Sequence, residues 1–157
     1  ALTSPALGTS TPADAVGAGQ VFGVELFLGF ILVFVVFGTC DSNRKDLAGS
    51  GPLAIGVAIA MCHLWAVPFT GSGMNPARVL GPAVVSGTWQ DHWAYWVGPL
   101  AGGALAAILY DFIFAVNATP SKVAGFFGKN YDDANFDASG RRIGASDANG
   151  QELKASA

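Results

Sequence analysis

Three long apolar runs, separated by shorter polar stretches, organise the chain up to Val116. They cover Val21 to Cys40, Pro52 to Val67 and His92 to Val116. A helix of about 20 residues is about 30 Å long, which matches the hydrocarbon core of a bilayer. The second run is slightly shorter, but Pro52 suits the first turn of a helix. The pattern predicts an all-α membrane protein with three transmembrane helices.

Composition supports lipid as the surrounding solvent. Hydrophobic residues make up 52% of the 157 residues and charged residues only 12%, which is about half of the charged share of a soluble domain. The net charge is −3 and the basic residues form no stripe, so no nucleic-acid partner is expected. Cys40 and Cys62 have no disulfide or metal spacing. We expect no metal and no cofactor.

The positions of the basic residues predict the orientation. Arg44 and Lys45 lie between the first two runs, and five further bases lie in the tail, 117–157. The positive-inside rule places both regions, and hence the C-terminus, in the cytoplasm. Residues 1–20 are then an extracellular loop segment. The tail is rich in Asp, Asn, Ser and Gly and is predicted to be disordered.

The stretch between the second and third runs is too apolar for a solvated loop, yet it contains Asn75, Pro76 and Arg78. Asn is a preferred N-cap and Pro suits the first helical position, so a helix is predicted to begin at Pro76. The N-terminus of a helix carries about half a positive charge. Irregular backbone at membrane depth requires protein or a water-filled cavity around it. We therefore predict a re-entrant half-helix over about 70–86 beside a wet passage.

A capped surface loop, with Arg78 extending to lipid headgroups, is the alternative interpretation of this stretch. Glu25 and His63 weigh against it because they also lie in apolar runs. A charge at the centre of a bilayer costs about 2.5–3.5 kcal/mol on insertion scales. Such residues together indicate a shared polar interior, which would repel cations and hydrogen-bond a neutral solute.

The segment SGMNPARVLGPAVV, preceded by PLAIGVAIAMCHLWAV and followed by HWAYWVGPLAGGALAAILYDFIF, resembles the second half of an aquaporin, of the major intrinsic protein family. The resemblance covers Gln20 to Phe114. It implies the second inverted repeat of a six-span fold, within residues 21–116. It also implies a homotetramer in the plasma membrane, with one pore per subunit. Because one NPA motif is present, we expect the N-terminal half of the pore to be missing, as in a fragment or an isoform.

The resemblance implies roles for residues of the re-entrant segment. In the NPA motif, Asn75 would donate its side-chain amide to water at the pore centre, beside Pro76 and Ala77. The carbonyl groups implied to accept hydrogen bonds along the lumen are those of Gly71, Ser72 and Gly73.

Further roles concern selectivity and support of the loop. Arg78 and His63 would form the outer constriction, together with Ser72, which occupies a position where many members carry Cys. Glu25 would hold the re-entrant loop from behind. Each role is an expectation from the resemblance, carried over to the residues that match.

Four further positions bear on the subtype, and three of them favour water selectivity. Tyr95 and Trp96 match the aromatic pair of water-selective members, and Ala83 matches their small residue. Val79 departs from the small or polar residue usual in water pores, but it is not the Asp of glycerol facilitators.

The predicted function is a passive water channel, here as the C-terminal half of the pore. The alternatives are a glycerol or small-solute facilitator and a non-conducting membrane scaffold. The expected partners are water, membrane lipid and the missing half. No enzymatic function is expected because no nucleophile and base are placed together in the sequence.

Overall fold

The computed structural model describes residues 8–41, 44, 49–115 and 118. All regular structure in these residues is helical. The elements are α1 (Ala18–Cys40), α2 (Gly51–Thr70), α3 (Pro76–Ser86), α4 (Ala94–Leu109) and a π-helical turn (Tyr110–Phe114). Three helical stretches are long and apolar enough to cross a membrane: α1, α2 and Ala94–Phe114. The predicted fold class is confirmed in these respects, while the tail expected to be disordered lies outside the described residues, apart from Ala118.

Capping explains where α2 begins and ends. The Ser50 side chain accepts from the Leu53 N–H, and the left-handed Gly71 (φ 75°) donates its own N–H to the Val67 carbonyl. The apolar run in the sequence ends at Val67, before Pro68. The helix instead continues through Pro68 to Thr70. A Pro inside a helix removes one hydrogen bond and crowds the preceding turn, but the last turn of α2 is closed beyond Pro68 by the Gly71 N–H, which donates to the Val67 carbonyl.

The short helix α3 begins at Pro76, as its sequence predicts. Asn75 has an extended backbone and caps the helix, and Gly87 ends it in the left-handed region (φ 73°). Its 11 residues correspond to about 16 Å, roughly half of a hydrocarbon core. This length suits a half-helix and is too short for a complete span.

The chain divides into two compact units: Ala1–Cys40 with Gly49–Ala107, and Asp41–Ala48 with Ile108–Ala157. In the first unit, α1 packs against α2 around a buried cluster that includes Leu28, Cys62 and Ala66. In the second unit, the Tyr110 hydroxyl donates to the Asp41 carboxylate over 3.0 Å.

Glycines bring α1 and α4 into close contact within the first unit. A Cβ atom at Gly102 would overlap the carbonyl group of Leu26, and one at Gly98 would lie 2.9 Å from the Glu25 side chain. Small residues allow the backbones of membrane helices to approach each other in this way. The contact places α4 beside the face of α1 that carries Glu25.

Candidate functional site

The carboxylate of Glu25 is the centre of a buried hydrogen-bond network. The side chain is fully buried. Its Oε1 atom accepts from the Thr70 hydroxyl over 2.7 Å and from the Gly73 N–H over 2.9 Å, and Oε2 accepts from the Met74 N–H over 2.8 Å. Bonds from N–H and O–H groups to a carboxylate are stronger than neutral ones and offset its desolvation. The turn between α2 and α3 is therefore held against α1.

The same turn is attached to α4 through Tyr95. The Tyr95 hydroxyl is buried and donates to the Thr70 carbonyl over 2.6 Å. The ring packs in a cluster with Val21, Val79 and Ala94. Sequence reasoning assigned Tyr95 only as a subtype marker. The structure shows that it also contacts the turn directly.

Backbone strain is concentrated at residues 71–74. Ser72 (φ 51°) and Met74 (φ 58°) both occupy the left-handed region, which is unfavourable for residues with a Cβ atom. Between them, a Cβ at Gly73 would lie 2.6 Å from the Tyr95 ring. Strained backbone persists where its surroundings fix it, and the two N–H bonds to Glu25 provide that constraint.

Two of the three carbonyl groups expected along a lumen have donors within the described residues. The Gly73 carbonyl accepts from the Asn75 N–H over 2.6 Å, and the Gly71 carbonyl accepts from the Ser10 hydroxyl over 3.4 Å. A carbonyl oxygen has two lone pairs and can accept a further bond. The Ser72 side chain is fully buried, and its Oγ has no hydrogen-bond partner among the described residues.

Asn75 is exposed, and hydrogen bonds fix the orientation of its side-chain amide. Its Oδ1 accepts from the Ala77 N–H over 2.9 Å and from the Arg78 N–H over 3.4 Å. Because the oxygen is engaged as the helix cap, the NH₂ group is the part of the side chain left to donate outward. The NPA motif thus combines a helix N-terminus with a side-chain donor.

The exposed Arg78 side chain contacts a segment that precedes α1. Its Nη1 donates to the hydroxyl of Ser10, which is 5% exposed. The same segment is joined to the end of α2 by a bond from the Ala13 N–H to the Phe69 carbonyl, over 2.9 Å. The sequence predicts that residues 1–20 are an extracellular loop segment and indicates no role for Ser10. A serine among other small residues gives no signal from which this contact could have been predicted.

His63 lies on α2 and is partly buried, with Nδ1 2.9 Å from the Ile59 carbonyl oxygen. The described part of the chain contains no hydrogen bond between His63 and Arg78. With Nδ1–H donating to the backbone, Nε2 is left as the acceptor. This orients the ring within its own helix.

The subtype positions differ in exposure. Val79 and Ala83 are buried, whereas Trp96 is exposed and lies near the His92 ring, with 6.5 Å between ring centroids. Within the residues that the structure describes, no group of three or more His, Cys, Asp or Glu is arranged to hold a metal ion.

Comparison with known proteins places this geometry in context. Residues 2–110 match the family profile described as major intrinsic protein. Aquaporin-4 of Bos taurus is 50% identical over 108 residues, covering 69% of this chain and 33% of that protein. Aquaporin-1 of Homo sapiens is 49% identical over 114 residues, covering 73% of this chain and 42% of that protein. The chain therefore spans less than half the length of these relatives.

Proposed function

Because the chain belongs to the major intrinsic protein family, we propose that it is the C-terminal half of a passive water channel. Three helical stretches are long and apolar enough to span a bilayer, and with the family membership they make this an integral membrane protein. The observation that carries the proposal is the buried Glu25 carboxylate, which fixes the turn preceding α3. Osmotic differences drive the flow, and no covalent chemistry is required.

In this proposal residues 71–74 enter from the outer face, and α3 begins with Asn75 and Pro76 at the pore centre and runs back toward that face. The Asn75 amide donates a hydrogen bond to the oxygen of a passing water molecule, and carbonyl groups of residues 71–73 accept from its hydrogens. The positive end of the helix and the guanidinium of Arg78 oppose the entry of cations and protons. Glu25 supports the re-entrant loop, a role favoured by its three hydrogen bonds with residues 70–74.

Selectivity is proposed to arise at an outer constriction formed by Arg78, His63 and Ser72. The exposure of the Arg78 side chain supports its availability to a solute. His63 would make the passage too narrow for glycerol. The name aquaporin, borne by the relatives, favours water as the solute.

The proposed partners are lipid, the N-terminal half of the pore and further copies in a homotetramer. Large apolar side chains are exposed on every helix, with Leu53 67%, Leu64 82% and Val85 89% exposed. Apolar surface of this extent marks contact with a membrane or with protein. We also propose that the protein lies in the plasma membrane with its C-terminus in the cytoplasm.

The proposal is tested with the complete protein that contains this chain, reconstituted into liposomes. Stopped-flow light scattering after an osmotic step would measure water permeability, and the same assay with glycerol would measure solute uptake. We expect water permeability above that of empty liposomes, with glycerol uptake unchanged. Rapid glycerol uptake would instead favour a facilitator. No increase for either solute would favour a non-conducting scaffold.

A further inference from the structure

We propose that Ser10 is a positioning residue for selectivity, which holds the guanidinium of Arg78 at the entrance of the pore. The inference rests on the proposed function, because it assigns a partner to the proposed filter arginine. Ser10 is 68 residues away from Arg78 in the chain, yet its hydroxyl accepts the bond from Arg78 Nη1. No other side-chain hydrogen bond of Arg78 occurs within the described residues.

The direction of each bond explains why the hydroxyl suits this role. Ser10 donates its single O–H proton to the Gly71 carbonyl, over a long 3.4 Å bond. The oxygen lone pairs are then turned away from that carbonyl and can accept from Arg78. Ser10 thereby links the guanidinium of Arg78 to Gly71, at the start of the strained turn. Arginine has several rotatable bonds, so a fixed acceptor limits the positions that its charged group occupies.

The placement of Ser10 is itself constrained. Its side chain is 5% exposed, and the nearby Ala13 N–H donates to the Phe69 carbonyl over 2.9 Å. A Cβ atom on Gly71 would lie 2.9 Å from the Ser10 Cα. The segment before α1 thus lies directly against the turn and forms part of the wall around Arg78.

The test compares hydroxyl removal at two adjacent positions in the complete protein. Ser10→Ala removes the acceptor of Arg78. Thr9→Val removes a neighbouring hydroxyl whose oxygen is also buried but has no hydrogen-bond partner among the described residues, so it is a matched control. Water and glycerol permeabilities would be measured in liposomes and normalised to the amount of protein. Ser10→Thr, which retains the hydroxyl, would serve as the rescue variant.

We expect Ser10→Ala to raise the ratio of glycerol to water permeability by about threefold to tenfold, the scale set by the net loss of one hydrogen bond. Thr9→Val and Ser10→Thr should keep the wild-type ratio. A merely structural role would lower the amount of folded protein without changing this ratio. If Ser10→Ala fails to reach the membrane, Ser10→Cys retains the side-chain size with a poor acceptor and is expected to raise the ratio as well.

Arg78→Val separates the possible failures. If the ratio rises in Arg78→Val and stays at the wild-type value in Ser10→Ala and Ser10→Cys, the role of Ser10 is overturned and the water-channel proposal stands. An unchanged ratio in Arg78→Val would overturn the filter assignment and the role of Ser10 together. Wild-type protein without water permeability would overturn the proposed function itself.

Discussion

At the scale of single residues, Glu25 and Asn75 hold the turn before α3 with oxygen acceptors on either side of it. Glu25 accepts from two backbone N–H groups of residues 73 and 74, and Asn75 accepts from two of residues 77 and 78. A carboxylate suits the buried position because both of its oxygens only accept. An amide suits the exposed position because it also retains donors. If an amide replaced the carboxylate at the buried position, its NH₂ group would face backbone N–H groups that need an acceptor.

Glu25→Gln tests this requirement. The glutamine amide offers one oxygen where the carboxylate offers two. Either the Met74 N–H loses its acceptor, or the Thr70 hydroxyl and the Gly73 N–H lose theirs. We expect a loss of about 2 kcal/mol in stability, seen as a lower melting temperature of the complete protein in detergent. Asp14→Asn is the control, since Asp14 is exposed, and it should melt like wild type. Equal melting temperatures for both variants would contradict the role given to Glu25.

At the scale of helices, glycine has opposite effects on different elements. Gly102 lies where α4 meets the backbone of α1, and no Cβ atom fits there. Gly56 lies on α2, and no atom outside the neighbouring backbone of its own helix lies within 4 Å of an added Cβ. Inside a helix, Gly is about 1 kcal/mol less favourable than Ala. Only the packing decides which glycine can be replaced.

We expect Gly102→Ala to lower stability and Gly56→Ala not to lower it. Gly102→Ala should destabilise by about 1–3 kcal/mol because the helices must separate, whereas Gly56→Ala should be neutral or stabilising by up to about 1 kcal/mol. Thermal unfolding of the two variants, side by side in one detergent, measures both. A stabilising effect of Gly102→Ala would refute the close contact between α1 and α4.

At the scale of the whole molecule, large apolar side chains are exposed on every helix of the described residues. Leu64 and Val85 are 82% and 89% exposed, and the chain spans 33% of aquaporin-4 of Bos taurus and 42% of aquaporin-1 of Homo sapiens. A narrow passage needs walls on all sides. In the proposed function, the other walls come from the N-terminal half.

Residues 1–157 expressed alone are therefore expected to leave liposome water permeability at the level of empty lipid. Adding the N-terminal half as a separate polypeptide should restore permeability to that of the complete protein, because the missing wall is then supplied. Stopped-flow measurements at equal protein density compare the three samples. The missing-half proposal would be wrong if residues 1–157 alone conducted as well as the complete protein.

Sequence alone determined the helical class, the long apolar helices and the start of α3 at Pro76. These features depend on apolar run length and on caps, which act between residues a few positions apart. The apolar run over 52–67 marks α2 only approximately, because the helix extends from Gly51 to Thr70. The roles of Asn75, His63 and Arg78 came from family resemblance and stay predictions.

The family resemblance implied that Glu25 supports the loop, but only the tertiary structure decided which groups hold the turn before α3. Its contacts join residues far apart in the chain: 45 to 49 residues for Glu25 with Thr70, Gly73 and Met74, and 68 for Ser10 with Arg78. Hydrogen bonds of this kind depend on which helix faces meet, and nothing in a local pattern specifies that. In the sequence, nothing distinguishes Ser10 from other small loop residues. In the fold, its hydroxyl lies between the Arg78 guanidinium and the strained turn.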